Sequence, residues 1–464
     1  MTRGDAISLA YLAAIVAFIL ALRFLSSPAR ARLGNWLGAL GMAIAIAATF
    51  AHPGLSNEVW ILLVMAVSAP IGAYGARAVK MTDIPQMVAL FNGVGGGAAA
   101  LIALAEFHER APESGRLAAN VGISIVLSAL IGAVSFAGSM VAFAKLQDLL
   151  SGRPIVYPQQ KVGNAALVAA LVAAAIVVLV GVEEQAIVGA LILGALLFGV
   201  LFVLPIGGAD MPVVISLLNA CTGLAAAATG FVLHQNVLIV SGMLVGASGT
   251  LLTLLMARSM GRSVGNVLFG AFGQLQVTPD ALAASADGHV RSTSAEDVAV
   301  MLAYAQRVIV VPGYGLAVAQ AQHDVRKLAD ELQARGVDVR YAIHPVAGRM
   351  PGHMNVLLAE ANVPYDELFE MEQINGDFPQ TDVALVIGAN DVTNPAARTQ
   401  LGSPIYGMPI LDVDRAKNVV VIKRSMNPGF AGIDNPLYRD PKTVMLFADA
   451  REGVAKLVEG VKAL

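Results

Sequence analysis

A glycine-rich turn follows a short β-branched run in the second half of the chain. Residues 307–311 (RVIVV) lead directly into residues 312–319 (PGYGLAVA), and a helix is predicted over residues 316–334. Gly313 permits a tight turn, and Gly315 lets the backbone approach a pyrophosphate at the N-terminus of that helix. The order of strand, turn and helix favours a dinucleotide site, although a purely structural turn has the same spacing.

A second group of residues with binding chemistry lies at the end of a later strand. A β-branched run (NVVVI) leads into Lys423, Arg424 and Ser425. An arginine fork, a lysine charge and a hydroxyl suit a phosphate, so this group is a candidate clamp for a ribose 2′-phosphate. The predicted second strand ends at His344, without the acidic residue that holds an unphosphorylated ribose. A solvated charge pair is the alternative interpretation of the two cations.

Three further loops follow predicted strands and are rich in glycine, asparagine and small residues. They cover residues 348–353 (GRMPGH), 388–395 (GANDVTNP) and 427–435 (NPGFAGIDN). Ligands bind at the carboxyl edge of open α/β sheets, where such loops offer backbone amides. His344 and His353 are expected to be structural, because nothing pairs them with a nucleophile. The sequence predicts no metal site.

The composition divides the chain into an apolar half and a charged half. Of the 464 residues, 56% are hydrophobic and 14% are charged, whereas soluble proteins carry about 25% charged residues. Only 22 of the 63 Asp, Glu, Lys and Arg residues precede residue 261. We therefore predict a membrane domain over residues 1–260, a linker over 261–290 and an α/β domain over 291–464. The net charge of −3 argues against nucleic acid as a partner.

Nine apolar stretches of the first half are long enough to cross a bilayer, which takes about 20 residues. They cover residues 6–25, 34–51, 59–79, 84–105, 117–144, 165–182, 186–204, 211–233 and 236–257. Their glycines and alanines allow close helix packing. The predicted fold class is a polytopic α-helical membrane bundle of about nine spans, followed by a Rossmann-like, doubly wound parallel sheet.

The distribution of Lys and Arg predicts the orientation of these spans. Positive charge follows the first stretch instead of preceding it, which argues against a cleaved signal peptide and for a retained span. With the N-terminus outside, ten Lys and Arg residues fall on the cytoplasmic side and three on the opposite side. The α/β domain is therefore expected in the cytoplasm.

Few polar residues lie within the predicted spans. Asn92 and Asn219 are mid-helix, Ser135 and Ser139 lie in the fifth span, and Asp210 lies at the cytoplasmic end of the eighth. Polar groups are costly in a bilayer, so these residues are candidates for a transport pathway. Interhelical hydrogen bonding is the alternative for each asparagine. No charged residue is central to a span, which argues against a voltage sensor or a charged ion filter.

Four segments, in this order, closely resemble the NADP(H)-binding domain of proton-translocating nicotinamide nucleotide transhydrogenase. They are PGYGLAVAQ at 312–320, GRMPGHMN at 348–355, GAND at 388–391 and KRSM at 423–426. The nine-span segment resembles the β subunit of the same enzyme, so the resemblance covers essentially the whole chain. It implies Si-specific/Re-specific hydride transfer between NADH and NADP⁺, coupled to inward proton movement, with NADP(H) as the cofactor of this chain.

The resemblance also assigns roles to residues of these loops. Lys423, Arg424 and Ser425 would hold the 2′-phosphate, and Asp391 would lie near the nicotinamide and couple to the proton step. Residues 429–435 would close over the cofactor, which would lie across the sheet in the reverse of the usual orientation. The implied cofactor-binding set is Gly313, Tyr314, Gly315, Leu316, Ala317, Val318, Gly348, Arg349, Met350, Pro351, Gly388, Ala389, Asn390, Asp391, Lys423, Arg424, Ser425, Met426, Gly429, Phe430, Ala431, Gly432, Ile433, Asp434 and Asn435.

In the membrane half the resemblance bears on Asn92 and Asn219 as candidates for a proton pathway, to which the polar-residue pattern adds Asp210. Asn92 matches a position where some members carry a histidine thought to relay protons, whereas an amide does not titrate. Asn219 matches the family's channel asparagine in the eighth span. Asp210 lies about nine residues before it, or about 13 Å along the helix.

The chain has a single dinucleotide fold, so a partner must present the second nucleotide for hydride exchange. The resemblance implies an NAD(H)-binding soluble subunit and a small membrane subunit. It also implies a dimer of the assembled complex, in the lipid of the cell inner membrane. From the residues alone, the alternative is a membrane channel or transporter that is regulated by an NADP-binding domain. That alternative predicts a charged filter or a midplane substrate site, which the sequence lacks.

Overall fold

The computed structural model describes residues 2–27, 30–114, 118–152, 154–180, 184–260, 263–269, 289–348, 352–401, 403, 405–429 and 431–464. Within these ranges, nine helices are long and apolar enough to cross a membrane. They are α1 (Arg3–Leu25), α2 (Ala31–Phe50), α3 (Glu58–Ala78), α4 (Ile84–Ser114), α5 (Ala119–Leu146), α6 (Gln160–Val180), α7 (Gln185–Val203), α8 (Met211–Val232) and α9 (Asn236–Ser259). Each overlaps one predicted stretch, which confirms the predicted helix bundle.

Helix α5 lies at the centre of the bundle and packs against α4, α7 and α8. Glycines make the closest contacts: a Cβ atom on Gly132 would stand 2.5 Å from the carbonyl oxygen of Gly96 on α4. A Cβ atom on Gly223 of α8 would stand 2.6 Å from the amide nitrogen of Gly246 on α9. The small residues therefore let neighbouring backbones touch, as expected for helix packing in lipid.

The C-terminal part of the chain, called here the sheet domain, is built on six parallel strands in the order β3-β2-β1-β4-β5-β6. The strands are β1 (Arg307–Pro312), β2 (Asp338–Ile343), β3 (Leu368–Glu370), β4 (Val383–Ile387), β5 (Asn418–Lys423) and β6 (Thr443–Phe447). The central strands are buried because apolar clusters cover both faces of the sheet. The predicted doubly wound parallel sheet is confirmed, and its order reverses between β1 and β4, where ligands bind in such folds.

Helices precede, connect and follow these strands, and the connections are long, as parallel pairing requires. They are α10 (Val264–Phe269), which precedes the sheet, and then α11 (Ala295–Ala303), α12 (Tyr314–Ala319), α13 (Gln322–Ala334), α14 (His353–Glu360), α15 (Met371–Ile374), α16 (Ala396–Thr399) and α17 (Ala450–Ala463). The prediction of one helix over residues 316–334 is wrong in detail, because Gln320 has a left-handed backbone (φ 50°) that separates α12 from α13. The Gly315 amide bonds to Gly388 in the β4 loop and fixes α12 there, whereas α13 packs on the sheet through residues such as Leu328.

The predicted linker over residues 261–290 lies mostly outside the described residues. Its described part contains α10, and residues 291–293 pair with the edge strand β6 through Ser292 and Met445. The domain boundaries stay a prediction.

The two halves of the chain meet at the loop after β2. Val346 packs against an apolar cluster of the bundle that includes Ile206, Met211 and Met260. The carboxyl edge of the sheet therefore faces the connection between α7 and α8.

We expect Gly132→Ala to destabilise the bundle, although replacing glycine by alanine normally stabilises a helix by about 1 kcal/mol. The new methyl group meets backbone atoms of α4, which cannot rotate away as a side chain can. The matched control is Gly189→Ala in α7, where a Cβ atom meets nothing within 4 Å. Thermal unfolding in detergent should show a lower midpoint for Gly132→Ala only. Equal midpoints for the two variants would contradict the tight α4–α5 contact.

Candidate functional site

Glycines join the β1 and β4 turns where the strand order reverses. A Cβ atom on Gly313 would stand 2.3 Å from the Cα of Ala389, and one on Gly315 would stand 2.7 Å from the Cα of Gly388. Their amides are used within the protein, because Gly313 donates to the carbonyl of Ile387 (2.9 Å) and Gly315 to that of Gly388 (3.0 Å). The first glycine turn therefore shapes the site by close backbone packing.

A cavity of about 520 Å³ opens beside this contact. This volume is within the range of about 300–1,000 Å³ that is typical of small-molecule sites. The sheet domain contributes residues 313–315, 346–348, 388–392, 422–425, 427–429 and 448–450, together with Ile405 and Met408. The bundle contributes Gly208, Pro212 and Met260. The cavity is thus shared by the carboxyl edge of the sheet and the end of the bundle.

The structure brings many of the predicted cofactor-binding residues to this cavity. They are Gly313, Tyr314, Gly315, Gly348, Gly388, Ala389, Asn390, Asp391, Lys423, Arg424, Ser425 and Gly429. Leu316 and Ala317 are instead buried in the core, and Val318 is exposed. Met426, Ala431, Gly432, Ile433, Asp434 and Asn435 do not line the cavity. Arg349, Met350, Pro351 and Phe430 lie outside the described residues.

The three residues of the candidate phosphate clamp differ in their surroundings. Lys423 is half-buried, donates to the carbonyl of Asn427 and lies 5.7 Å from the centroid of the Tyr438 ring. Burial lowers the pKa of Lys423, and the carboxylates of Asp391 and Asp434 oppose that shift. Arg424 and Ser425 are exposed, and no carboxylate of the described residues forms an ion pair with Arg424. Its guanidinium is therefore available to an anionic ligand.

The turn at Asn390 and Asp391 is tied to residues 431–435. Asp391 Oδ2 accepts the amide proton of Ala431 (2.9 Å). The buried Asn435 donates from Nδ2 to the backbone carbonyl (3.2 Å) and the side-chain oxygen (3.1 Å) of Asn390. Asn394 donates to the carbonyl of Asp434 (3.0 Å). The loop after β4 thereby holds the segment that borders the cavity after β5.

Asn390 also carries a polar atom that the protein leaves unsatisfied. Its Nδ2 is buried and has no acceptor among the described residues. A buried amide donor without a partner costs about 1–3 kcal/mol, so its position at the cavity wall indicates a ligand acceptor. Gly429 leaves room beside it, since a Cβ atom there would stand 2.7 Å from Asn390 Nδ2.

His344 positions two parts of the cavity wall. Its Nδ1 accepts the amide proton of Val346 (3.2 Å), and its Nε2 lies 2.9 Å from the carbonyl of Pro409, next to Met408. Both contacts are made by the neutral ring with the proton on Nε2. Burial lowers the pKa of His344 to about 4. The structure thus supports the structural role that was expected for this histidine.

Sequence reasoning missed several residues of the cavity wall. Residues 448–450 lie between the end of β6 and the start of α17. The other loops were predicted because they follow strands, and the same argument would have identified these residues. Ile405 and Met408 belong to a connection that carries no such signal. Gly208 comes from the distant α7–α8 connection and Pro212 from the first turn of α8, and only the folded chain places them here.

The bundle contains a polar cluster between α4, α5 and α8. Asn92 is buried and donates from Nδ2 to Ser139 Oγ (2.9 Å) and Ser135 Oγ (3.4 Å). Ser135 in turn contacts Thr222 Oγ1 (2.5 Å) and donates to the carbonyl of Leu218 (2.9 Å). Three of the predicted polar residues therefore meet, and Thr222 completes the cluster.

A second polar contact, which the sequence did not indicate, lies nearer the start of α5. Ser128 Oγ is 2.7 Å from Thr229 Oγ1 of α8 and donates to the carbonyl of Ala99 on α4 (3.2 Å). Asn219 is half-buried, and its side chain has no hydrogen-bond partner in the part of the chain that the structure describes. Asp210 precedes α8 as its N-cap residue. Neither residue joins the Asn92 cluster.

Comparison with known proteins finds similarity over the bundle and the sheet domain together. A family model described as NAD(P) transhydrogenase beta subunit matches residues 7–460. The NAD(P) transhydrogenase subunit beta of Rhodospirillum rubrum is 50% identical over 458 residues, which cover 97% of this chain and 98% of the relative. A protein of the same name from a further strain of this species matches to the same extent.

We expect His344 to make the stability of the protein depend on pH. The pKa of His344 falls from 6.5 to about 4 on folding. The contribution of its neutral ring to the free energy of unfolding is therefore complete above pH 6.5 and is lost as the pH falls towards 4. The loss amounts to at most about 3 kcal/mol. Unfolding midpoints measured between pH 7 and 4.5 should fall less steeply for His344→Gln than for the wild type. His323→Gln, at an exposed histidine of the same domain, is the control. Parallel profiles for wild type and His344→Gln would show that the ring is not held neutral.

Proposed function

Because this chain belongs to the NAD(P) transhydrogenase beta subunit family, we propose that its cavity binds NADP(H). In this proposal the bound nucleotide exchanges hydride with NAD(H) on a partner subunit, while protons cross the membrane through the bundle. The observation that carries the proposal is the cavity at the β1–β4 crossing, whose wall combines two cationic side chains, Lys423 and Arg424, with residues of the bundle.

The chemistry of the cavity suits a phosphorylated dinucleotide. Lys423 and Arg424 stand together at one wall, and Arg424 lacks an ion-pair partner among the described side chains. The unsatisfied Nδ2 of Asn390 supplies a donor at another wall. Gly313 and Gly388 border the cavity and bring the β1 and β4 turns into direct backbone contact. Cationic, polar and glycine-lined surfaces are the three features that such a ligand requires.

Each wall has a distinct task in the proposal. Lys423, Arg424 and Ser425 hold the 2′-phosphate, which gives preference for NADP(H) over NAD(H). Asn390 and Asp391 lie towards the nicotinamide, and their hydrogen bonds to Asn435 and Ala431 brace this side of the site from outside the cavity. NADP(H) supplies the carbon that gives or receives hydride. The protein's own contribution is to orient the nucleotide and to limit the access of water.

A partner is needed because hydride moves only between carbons held about 3–3.5 Å apart. The described residues form one sheet of the dinucleotide-binding type, so NAD(H) must be presented by another chain. We propose an NAD(H)-binding soluble subunit for this role and a small membrane subunit beside the bundle. The assembled complex is a dimer in the cell inner membrane, with the sheet domain in the cytoplasm.

The proton pathway is proposed to pass the Asn92 cluster. Amide and hydroxyl groups such as Asn92, Ser135 and Ser139 can hold a chain of water molecules, but they do not store a proton. A titrating group must therefore come from a partner helix. Asn219 and Asp210 remain candidates for the route towards the cytoplasm.

We expect the purified chain alone to show no hydride exchange between NADPH and an NAD⁺ analogue. Exchange should begin when the chain is co-expressed with the products of neighbouring open reading frames. In vesicles that contain the complex, a pH-sensitive dye should report proton movement during turnover. Turnover by the single chain, free of other subunits, would contradict the need for a partner. Nucleotide-dependent ion flux without redox turnover would instead favour a channel with a regulatory NADP-binding domain.

Arg424→Ala should weaken the binding of NADPH at least tenfold and leave NADH binding little changed. The reason is the loss of charge-assisted hydrogen bonds to the 2′-phosphate, worth about 1.5–3 kcal/mol. Arg415→Ala is the matched control, because Arg415 is an exposed arginine that precedes β5 and lies away from the cavity. Affinities can be measured by nucleotide fluorescence on the full-length chain in detergent. Equal losses for NADPH and NADH would rule out the phosphate clamp.

A further inference from the structure

Lys145 is a fully buried cation in the last turn of α5. Its Nζ donates to the carbonyl oxygen of Leu204 (2.5 Å) and to that of Ile206 (2.7 Å). None of the described carboxylates forms an ion pair with it. The ammonium group is therefore held by backbone carbonyls alone.

Such a contact binds two segments firmly. Burying an ammonium group costs several kcal/mol, so it persists only where the surrounding oxygens replace water. Leu204 follows the last residue of α7, where the helix dipole presents its negative end. Lys145 thus caps α7 and fixes the start of the α7–α8 connection to α5.

The α7–α8 connection reaches the sheet domain. Ile206, which accepts from Lys145, belongs to the same apolar cluster as Met211, and Val346 of the sheet domain packs against that cluster. Gly208, from the same connection, and Pro212, from the first turn of α8 that follows it, line the cavity. A shift of this connection therefore changes the wall of the proposed nucleotide site.

Helix α5 also carries residues of the polar cluster around Asn92. Ser139, which accepts from Asn92, lies six residues before Lys145 on α5, or about 9 Å along the helix axis. Gly138 on the same helix packs against Val203 of α7 and Leu218 of α8. One rigid helix thus connects Asn92 to the carbonyls that Lys145 holds.

We propose that Lys145 is a positioning residue that couples the polar cluster of the bundle to the nucleotide cavity by clamping the α7–α8 connection to α5. The inference rests on the proposed function as a proton-translocating subunit. In this arrangement, a change in the polar cluster moves α5, and the clamp carries the movement to Gly208 and Pro212.

The test measures protons moved per hydride transferred, in vesicles that contain the assembled complex. Lys145→Met, which keeps an unbranched side chain but removes the charge and the donors, should lower this ratio at least fivefold while hydride exchange continues. Lys145→Arg, which keeps both properties, should retain more than half of the ratio. Lys161→Met, at an exposed lysine near the start of α6, should behave as the wild type. A wild-type ratio in Lys145→Met would overturn the proposal.

A second measurement separates coupling from simple folding. NADPH release from the wild-type complex should respond to an imposed proton gradient, and release from Lys145→Met should not, although the variant binds NADPH with unchanged affinity. The same response in both complexes would contradict the clamp. If neither Lys145→Met nor Lys145→Gln assembles while Lys145→Arg does, Lys145 is only a structural cap and the proposal fails. If the wild-type complex itself neither exchanges hydride nor moves protons, the proposed function fails first.

Discussion

The structure depends on one constraint that recurs in both halves of the chain, which is the direct approach of two backbones where no Cβ atom intervenes. In the bundle, Gly96 and Gly132 bring α4 and α5 so close that a methyl group on either would clash with a carbonyl oxygen. In the sheet domain, Gly313 and Gly388 bring the β1 and β4 turns together in the same way. Both candidate functional regions lie beside these contacts.

In the bundle, this approach determines which polar groups can meet. Hydroxyl side chains are short, so Ser139 reaches Asn92 only because the α4 and α5 backbones are close. Unsatisfied polar groups cost several kcal/mol in hydrocarbon. Ser128 and Thr229 avoid this cost because their hydroxyl groups bond to each other. Asn219 stands apart, half-buried and without a described hydrogen-bond partner. Its amide therefore remains available to a further polar group in the proposed complex.

Much of this organisation could be predicted from the sequence, because it depends on local patterns. Hydropathy located all nine helices of the described bundle, and β-branched runs located β1, β2 and β5. Parallel topology then brought loops as distant as Gly348 and Lys423 to one edge. The break at Gln320 was missed because the sequence does not show that α12 is tied to the β4 loop, through the hydrogen bond between Gly315 and Gly388, whereas α13 packs on the sheet. The burial of Lys145 was missed because hydropathy places a lysine at a helix end near the membrane surface. Only the folded chain brings the C-terminal end of α7, at Leu204, against this side chain.

The shared wall of the cavity bears on how the two halves could influence each other. A ligand shifts an equilibrium only through contacts that differ between two states, and coupling between two sites is reciprocal. A nucleotide in this cavity would touch Gly208 and Pro212 directly, so no long relay through the sheet domain is required. The apolar packing of Val346 on the bundle core holds the sheet domain against the bundle. In the proposed function, a movement of the α7–α8 connection that accompanied proton passage would alter nucleotide affinity, and nucleotide exchange would bias that movement by the same free energy.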